Sequence, residues 1–427
     1  MRNGGSMQVA IIGGGIGGMT LALSLHAAGI EDVAVYESAS AIRELGVGIN
    51  LLPHAVRELT ELDLLDALRA VGIPTAEFVY YTNRGQQIWH EPLGLAAGYR
   101  WPQISIHRGE LLGVLHRAVV ERLGPGRIHP GHHLARLEQA ETGRVRGDFV
   151  DRASGTAFGL VEADLLVGCD GIHSAVRRAR FPGEGLPRWN GVTMWRGVTR
   201  SAPFLSGRTM VNAGTSKQRV VVYPISKAEE DRGRALINWV ATMRTADNGP
   251  MPPQSWTAVA DRTRVTQAFA RFAFDFLNVP ALIQGAEAIY EYPMVDRDPL
   301  PSWDFGAVTL LGDAAHPMHP VGGNGASQAI LDARWLAWEL ATQPTIEAAV
   351  TAYDGERRPA TAALVQSNRR AGPHRCQDLV EERAPEGFSQ LADVVSQEEL
   401  SAIAEEYKAT AGFDMERLNE RRTLSFH

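Results

Sequence analysis

The sequence predicts an α/β protein: a mostly parallel sheet wrapped by helices, an antiparallel sheet inserted into it, and a helical C-terminal segment. Three observations carry this. Apolar runs at 8–12, 33–36, 165–167 and 307–311 have the length of buried strands, and three of them lead into helical patterns, the alternation that builds a parallel sheet. Segments 191–199, 219–224 and 236–242 are β-rich and separated by loops of Gly, Ser and charged residues, as in an antiparallel sheet. Beyond residue 346 the pattern is helical, and Ser396 with Glu399 has the spacing of a capping box that starts a charged, amphipathic helix.

In chain order, strand 8–12 runs into Gly13, Gly15 and Gly18 in GxGxxG spacing, a helix follows over about 19–28, and the second strand ends in Glu37. The glycines allow a tight turn, a close pyrophosphate and a tight helix-on-sheet contact, and Glu37 offers acceptors to a ribose hydroxyl. This is a Rossmann-like dinucleotide site, with FAD and NAD equally compatible with these residues. In RELGVGIN at 43–50, Gly46 and Gly48 suit either a backbone passing close to a ligand or a bulged strand. Arg43 pairs with Glu37 or a phosphate, or is a solvated charge. Helix 53–71 carries the stripe Val56, Leu59, Leu62, Leu65 and Leu68; segment 78–90 reads as strands of a different sheet. Strand 104–108 and helix 110–123 meet at Arg108, placed to reach a pyrophosphate or to bond a neighbouring loop. Strand 165–167 ends in Gly168, Cys169, Asp170 and Gly171, at the strand edge where open α/β sheets bind ligands, and Cys169 reads as a small buried hydrophobe.

In the second sheet, Trp195, Tyr223, Trp239 and Tyr292 either line an aromatic pocket or fill a core. Residues 248–255, with three prolines, read as a loop, and 256–278 as helix. The stretch GAVTLLGDAAHPMHPVGGNGASQAILDARWLAWEL at 306–340 is a strand closed by Gly312 and Asp313, then a loop. Its prolines Pro317 and Pro320 hold the backbone extended, and Gly322, Gly323 and Gly325 let a flat ligand approach. The helix beyond, with Ala329, Ala333, Leu336, Ala337 and Leu340 on one face, points its positive dipole end at that loop. The loop suits the ribityl chain and ring of a flavin; an ordinary strand, loop and helix is the other reading.

At 427 residues, two or three cooperating units are expected. A net charge of -7 argues against nucleic acid or an anionic membrane as partner. Two cysteines, Cys169 and Cys376, make no disulfide framework and show no metal spacing, so no metal is expected and the cytoplasm is the default location. The apolar run 9–25 is broken by five glycines and lacks a basic flank, unlike a signal peptide, and no stretch spans a bilayer. Residues 1–6 read as an unstructured leader, with Met7 a natural start.

Three strand ends, at Gly13, Asp170 and Asp313, are far apart in sequence. NAD alone does not need the third, whereas an extended FAD does. With the motifs CDGIHSAVR at 169–177 and GDAAHPMHPVGGNGA at 312–326, residues 7–368 resemble the single-component FAD-dependent aromatic hydroxylases, the group of para-hydroxybenzoate and salicylate hydroxylases. Within it, ELGVGIN, SIHRGEL, GVTMWRGVT and YPMVDRDPLPSW are most similar to hydroxylases of methylated phenazine carboxylates. The resemblance implies a discontinuous Rossmann-like (GR2-type) FAD-binding domain over 7–75, 104–184 and 285–367. An antiparallel substrate domain over 76–103 and 185–284 and a helical segment over 368–427 complete the chain. It implies that Gly13, Gly15 and Gly18 pack on the FAD pyrophosphate, Glu37 holds the adenosine ribose, and Arg108 meets the phosphate and ribityl region. It further implies that Asp170 supports FAD and reduced nicotinamide, Asp313 holds the ribityl chain, and Gly323, Asn324 and Gly325 face the flavin pyrimidine edge; Arg43, Gly48 and Pro320 join this set. NADH or NADPH would bind transiently, since no second GxGxxG occurs, and dioxygen would form a C4a-hydroperoxyflavin that hydroxylates a small aromatic substrate. His319, the histidine nearest the flavin loop, and Tyr223 are the catalytic candidates, among others by type at His54, His107 and His316. Trp195, Arg196, Arg219, Tyr223, Trp239 and Tyr292 are the substrate candidates. The rival readings are a flavin oxidase or dehydrogenase without oxygen insertion and a flavin-binding sensor; monomer and homodimer are both compatible.

Overall fold

The computed structural model describes residues 7–41, 46–140, 143–245 and 259–424. Its first sheet is parallel, with strands in the order Val308–Leu310, Leu165–Gly168, Val9–Ile12, Val33–Glu37 and Ile128–Pro130. Strands of such a sheet are covered on both faces, which is why Val9–Ile12 and Leu165–Gly168 are apolar and buried throughout. Register then levels their ends: Ile12 lies beside Gly168 and Tyr36, and Gly168 beside Leu310. The residues after them, distant in sequence, therefore emerge along one edge.

Two helices rise from that edge and pack on each other, Ile16–Ala27 and Gly325–Thr342. Their approach depends on Gly17, where a Cβ would stand 2.6 Å from Leu311 and 3.4 Å from Ala329. The expected helix 53–71 is two, Pro53–Thr60 and Leu65–Val71, broken where Asp63 takes a φ of 55°.

The second sheet has seven strands, in the order Tyr290–Asp296, Arg188–Ser201, Ala235–Arg244, Gln218–Pro224, Thr209–Gly214, Glu77–Tyr81 and Gln87–Pro92. All neighbours are antiparallel except Thr209–Gly214 with Glu77–Tyr81. The strand Tyr290–Asp296 forms one edge of it, although a boundary at 285 would assign it elsewhere. One face buries Trp195, Trp239, Val220 and Val222 with Val265 and Ile283 of the helices Arg262–Ala268 and Val279–Gly285. The helix expected over 256–278 is only the first of these, followed by the hairpin Ala273–Phe274 and Leu277–Asn278; the proline loop and Trp256 lie outside the described residues. The other face looks toward the parallel sheet.

Helices Ile346–Arg369, Arg375–Arg383, Gln397–Ala411 and Met415–Glu420 close the chain, and the Ser396/Glu399 capping box forms at the start of the third. Among the described residues no helix is long and apolar enough to cross a membrane.

Candidate active site

The carboxyl edge of the parallel sheet opens into a cavity. Glu37 braces its first loop, accepting from the Gly14 N–H at 2.8 Å and the Ala39 N–H at 2.7 Å. The glycines divide their work. At Gly13 a Cβ would lie 2.4 Å from the Cys169 carbonyl, and at Gly18 it would lie 2.0 Å from that of Gly13, so both serve close packing of protein on protein. Gly15 has nothing within 4 Å and, with Gly17, forms cavity wall at the start of helix Ile16–Ala27.

At the second strand end Cys169 and Gly171 line the cavity, and burial pushes the Cys169 thiol well up. The Asp170 carboxylate is turned into helix Ala175–Arg180, accepting from the Ala175 N–H at 2.6 Å and from the Ser174 hydroxyl. Its side chain acts as a helix cap, and burial raises its pKa against those bonds. From the same helix Arg177 donates to the carbonyls of Ala314 and Ala315 at 3.1 and 2.9 Å while pairing with Glu184, which ties the second strand end to the third.

At the third strand end, Asp313 and, across from it, Arg108 face the cavity. Neither side chain makes a hydrogen bond or ion pair with another described residue; Asp313 is exposed to the cavity and Arg108 is half-buried beside the Arg196 cation. Desolvation raises the Asp313 carboxyl and, foremost among its causes, lowers the Arg108 guanidinium. Pro320, Gly322, Gly323 and Gly325 continue the wall, and Gly48 faces them. Asn324 does not: its side chain donates to the Tyr407 hydroxyl at 2.9 Å and is 1% exposed. Behind the loop, Asp332 accepts from the Gly312 N–H at 3.1 Å and from Arg357 at 2.8 Å, and pairs with His316. Arg43 lies outside the described residues.

The cavity continues onto the open face of the seven-stranded sheet. Side chains alternate along a strand, so Met194, Arg196, Val221, Tyr223 and Val240 face it, with Phe78, Tyr80 and Met210 beside them. The same alternation removes two substrate candidates. Trp195 bonds Glu291 at 2.7 Å and Trp239 bonds Thr199 at 3.2 Å, both on the sheet's other face in a helix-covered core. Arg219 is on the cavity side of its strand but is spent on Asp378 at 2.8 Å and His374 at 2.9 Å. Tyr292 shares the face of Met194 and is buried beside Arg196 and Arg108, off the cavity wall. His319 turns away from the cavity toward Asp296, 3.6 Å away, and burial lowers its pKa. Arg196 and Tyr223 stand where the two parts of the cavity meet. The Arg196 Nη2 donates to the Gly48 carbonyl at 2.7 Å, and Asn238 accepts from the Gly48 N–H at 2.6 Å. Burial pushes the Tyr223 phenol up, and Arg196 and Asn238 pull it part of the way back.

The FAD binding domain family matches residues 6–368. A phenazine 1,6-dicarboxylic acid hydroxylase PhzS of Lysobacter antibioticus is 47% identical over 365 residues, 85% of this chain and 89% of that one. A salicylate hydroxylase of Pseudomonas putida is 31% identical over 389 residues, 86% of this chain and 85% of its own. This chain belongs to the FAD-dependent aromatic hydroxylases. As a member it is a flavoprotein monooxygenase that binds FAD and uses NAD(P)H and dioxygen. The fold agrees: a salicylate hydroxylase in its substrate complex superposes with a TM-score of 0.73 at 24% identity, covering 98% of this chain and 99% of that one.

The cavity fits the cofactor of this hydroxylase family on its own chemistry. An acceptor, Asp313, and a cation, Arg108, neither with a side-chain partner among the described residues, stand among bare glycine backbone at the starts of two helices, a donor and acceptor set for hydroxyls, phosphates and a flat ring. Residue reasoning missed the outer wall of the hydroxylase's cavity. Pro373, His374, Ala404, Tyr407, Lys408 and Phe413 come from the segment beyond residue 368, which carries no ligand-binding motif and lies past the matched span. Glu91, across from it, pairs with Lys408. Arg196 was among the substrate candidates, whereas alternation along 191–199 was the one signal available for Met194.

Proposed function

We propose that this chain hydroxylates a fused-ring aromatic carboxylate, with the ring held between the seven-stranded sheet and the C-terminal helices. The observation that carries the reading is the continuity of the cavity. It runs from the Asp313, Arg108 and glycine cradle into a chamber walled by Phe78, Tyr80, Met194, Met210 and Tyr223. The 47% identity to an enzyme named for a phenazine dicarboxylic acid supports the substrate class.

In this reading the backbone at Gly15 and Gly17 receives the pyrophosphate, Glu37 shapes the loop that holds the adenosine ribose, and Asp313 accepts from the ribityl hydroxyls. Arg108 faces the phosphates, and Gly323 and Gly325 give backbone to the ring edge. Bound FAD supplies acceptance of a hydride from NADH or NADPH and the activation of dioxygen. The protein's part is orientation and dryness. Met194, Met210, Val221 and Val240 exclude water from the reacting face, and water there diverts reduced oxygen to hydrogen peroxide. Tyr223, oriented by Arg196 and Asn238, donates to a substrate oxygen at the junction of the two compartments. The enzyme acts in the cytoplasm as a monomer or homodimer.

The test is a screen of fused- and single-ring aromatic acids for stimulated NAD(P)H oxidation by the flavin-loaded protein under 18O2. A product heavier by one labelled oxygen is expected with a fused-ring acid. Stoichiometric peroxide with unmodified substrate across the panel would overturn the hydroxylation reading, and turnover confined to single rings would overturn the substrate class.

A further inference from the structure

The outer wall carries a polar group that neither the cofactor cradle nor the junction uses. His374 sits just before helix Arg375–Arg383, is 8% exposed, and lines the cavity. Its Nδ1 lies 2.9 Å from Nη1 of Arg219, whose Nη2 is fixed by Asp378 at 2.8 Å. A guanidinium has five donors and no acceptor, so the Nδ1 in this bond must be the acceptor and carries no proton. The imidazole is then neutral and its proton is on Nε2. Burial and the Arg219 charge reinforce this by holding the ring well below its usual pKa. The Nε2 makes no hydrogen bond with a described residue and keeps some exposure, on a residue that lines the cavity.

A neutral N–H fixed in direction and set in a largely apolar chamber selects for an acceptor. Tyr80 and the Lys408–Glu91 pair stand on the same part of the wall, so a second polar group of the ligand has company there while the ring occupies the apolar remainder. Among acceptors a carboxylate takes the strongest such bond. We propose that His374, locked as its Nε2–H tautomer by the Arg219–Asp378 pair, donates a hydrogen bond to a carboxylate of the aromatic substrate and so sets which end of the ring enters the flavin compartment. The proposal rests on the aromatic-acid reading above, and it gives the C-terminal segment, outside the span of the FAD binding domain, a direct part in specificity.

The experiment compares the flavin-loaded enzyme with its His374→Leu and His374→Gln variants. Binding of phenazine 1,6-dicarboxylic acid and of unsubstituted phenazine is titrated by the change in flavin absorbance, and product per NAD(P)H is measured for both. The wild type is expected to prefer the acid. In His374→Leu that preference falls about tenfold or more, the scale of one bond to a charged group, and coupling of the acid falls with it. The glutamine amide can present a donor from nearly the same place, so His374→Gln keeps the preference within about threefold. An unchanged preference in the leucine variant, or equal loss in both variants, overturns the proposal. A wild type that neither binds nor oxidises any aromatic acid defeats the functional reading instead, before a variant is made. If His374→Leu does not retain flavin, 15N histidine spectra of the wild type, assigned against those of His374→Gln, give the answer. The resonance missing from the His374→Gln spectrum must show an Nε2–H tautomer that shifts when the acid is added, and an Nδ1–H or doubly protonated ring, or no shift, overturns it.

Discussion

Asp313 is the acceptor on which flavin retention turns. Its carboxylate faces the cavity, exposed, with no protein hydrogen bond among the described residues. Water solvates it in the deflavinated protein, so Asp313→Asn is expected to change the stability of the apoprotein at pH 7 by no more than about 0.5 kcal/mol. With flavin bound the carboxylate serves as an acceptor. A charged acceptor is worth about 1–1.5 kcal/mol more than a neutral one, so the amide weakens FAD binding roughly five- to twelvefold. Asp313→Ala removes the acceptor and loses about 1.5–3 kcal/mol, roughly ten- to 150-fold. Fluorescence titration of apoprotein with FAD reads the affinity, and thermal melting of the same apoprotein reads the stability. An alanine variant that keeps wild-type affinity would refute the placement of Asp313 on the ribityl chain; an asparagine apoprotein whose stability at pH 7 changes by several kcal/mol would refute its placement in the open cavity.

Three further outcomes follow from the packing. His54 is fully buried against Phe413 and its pKa is lowered to about 3 from 6.5, so the unfolded chain takes up the proton first and stability falls as pH drops from 6.5 toward 3. That is about 2 kcal/mol by pH 5, and denaturation of wild type and His54→Leu across pH 5–6.5 should show a shallower slope in the variant. Gly322→Ala combines a φ of 67° with a Cβ 2.0 Å from the Tyr407 hydroxyl. It should lower the melting temperature by a margin that Gly322→Ala/Tyr407→Phe partly recovers, and no recovery would rule out the contact as the cause. Trp239→Phe opens a core void and drops the bond to Thr199, at a cost of about 1–3 kcal/mol. Substrate affinity should stay within about twofold by titration, and a larger change would return Trp239 to the binding site.

The parallel sheet was legible because strands covered on both faces read as unbroken apolar runs, and their ends are punctuated by residues that cannot be elsewhere. Gly13 and Gly18 have no room for a side chain, and Gly312 takes a φ of 61°. What residue reading missed were directions. Trp195 and Trp239 alternate correctly with Met194 and Val240, yet both faces of that sheet are covered, so composition does not tell which face is cavity and which is core. His319 and Arg219 are types that bind ligands, but each is claimed by a residue from another element, Asp296 in the one case and Asp378 in the other. Asp170 is one helical cap among many by its neighbours Ser174 and Ala175, and only the position of its strand end suggested a ligand. The wall comes from His374 in a short turn and from Tyr407 and Lys408 on an amphipathic helix with no periodicity beyond that of any packed helix.

The two parts of the cavity differ in what they offer, which explains how one cavity can hold two kinds of ligand. The parallel sheet offers strand ends, helix starts and bare backbone, which suit phosphates and hydroxyls. The antiparallel sheet offers one broad apolar face. Gly48, on the strand Gly48–Leu51 of a separate three-stranded sheet, is held by the seven-stranded sheet at the N–H through Asn238 and at the carbonyl through Arg196, and a Cβ there would lie 2.6 Å from Asn238. The same Arg196 and Asn238 flank the Tyr223 phenol, so the group facing the aromatic chamber is oriented by the residues that hold the Gly48 peptide. On the far side the Tyr407 hydroxyl accepts from Asn324 at 2.9 Å and donates to the Val321 carbonyl at 3.0 Å. The glycine loop is thereby bound to the C-terminal helix that also walls the chamber. A shift of either sheet or of that helix would move the flavin loop and the substrate wall together, and chemistry that transfers one oxygen over a short distance needs them to keep their relative position.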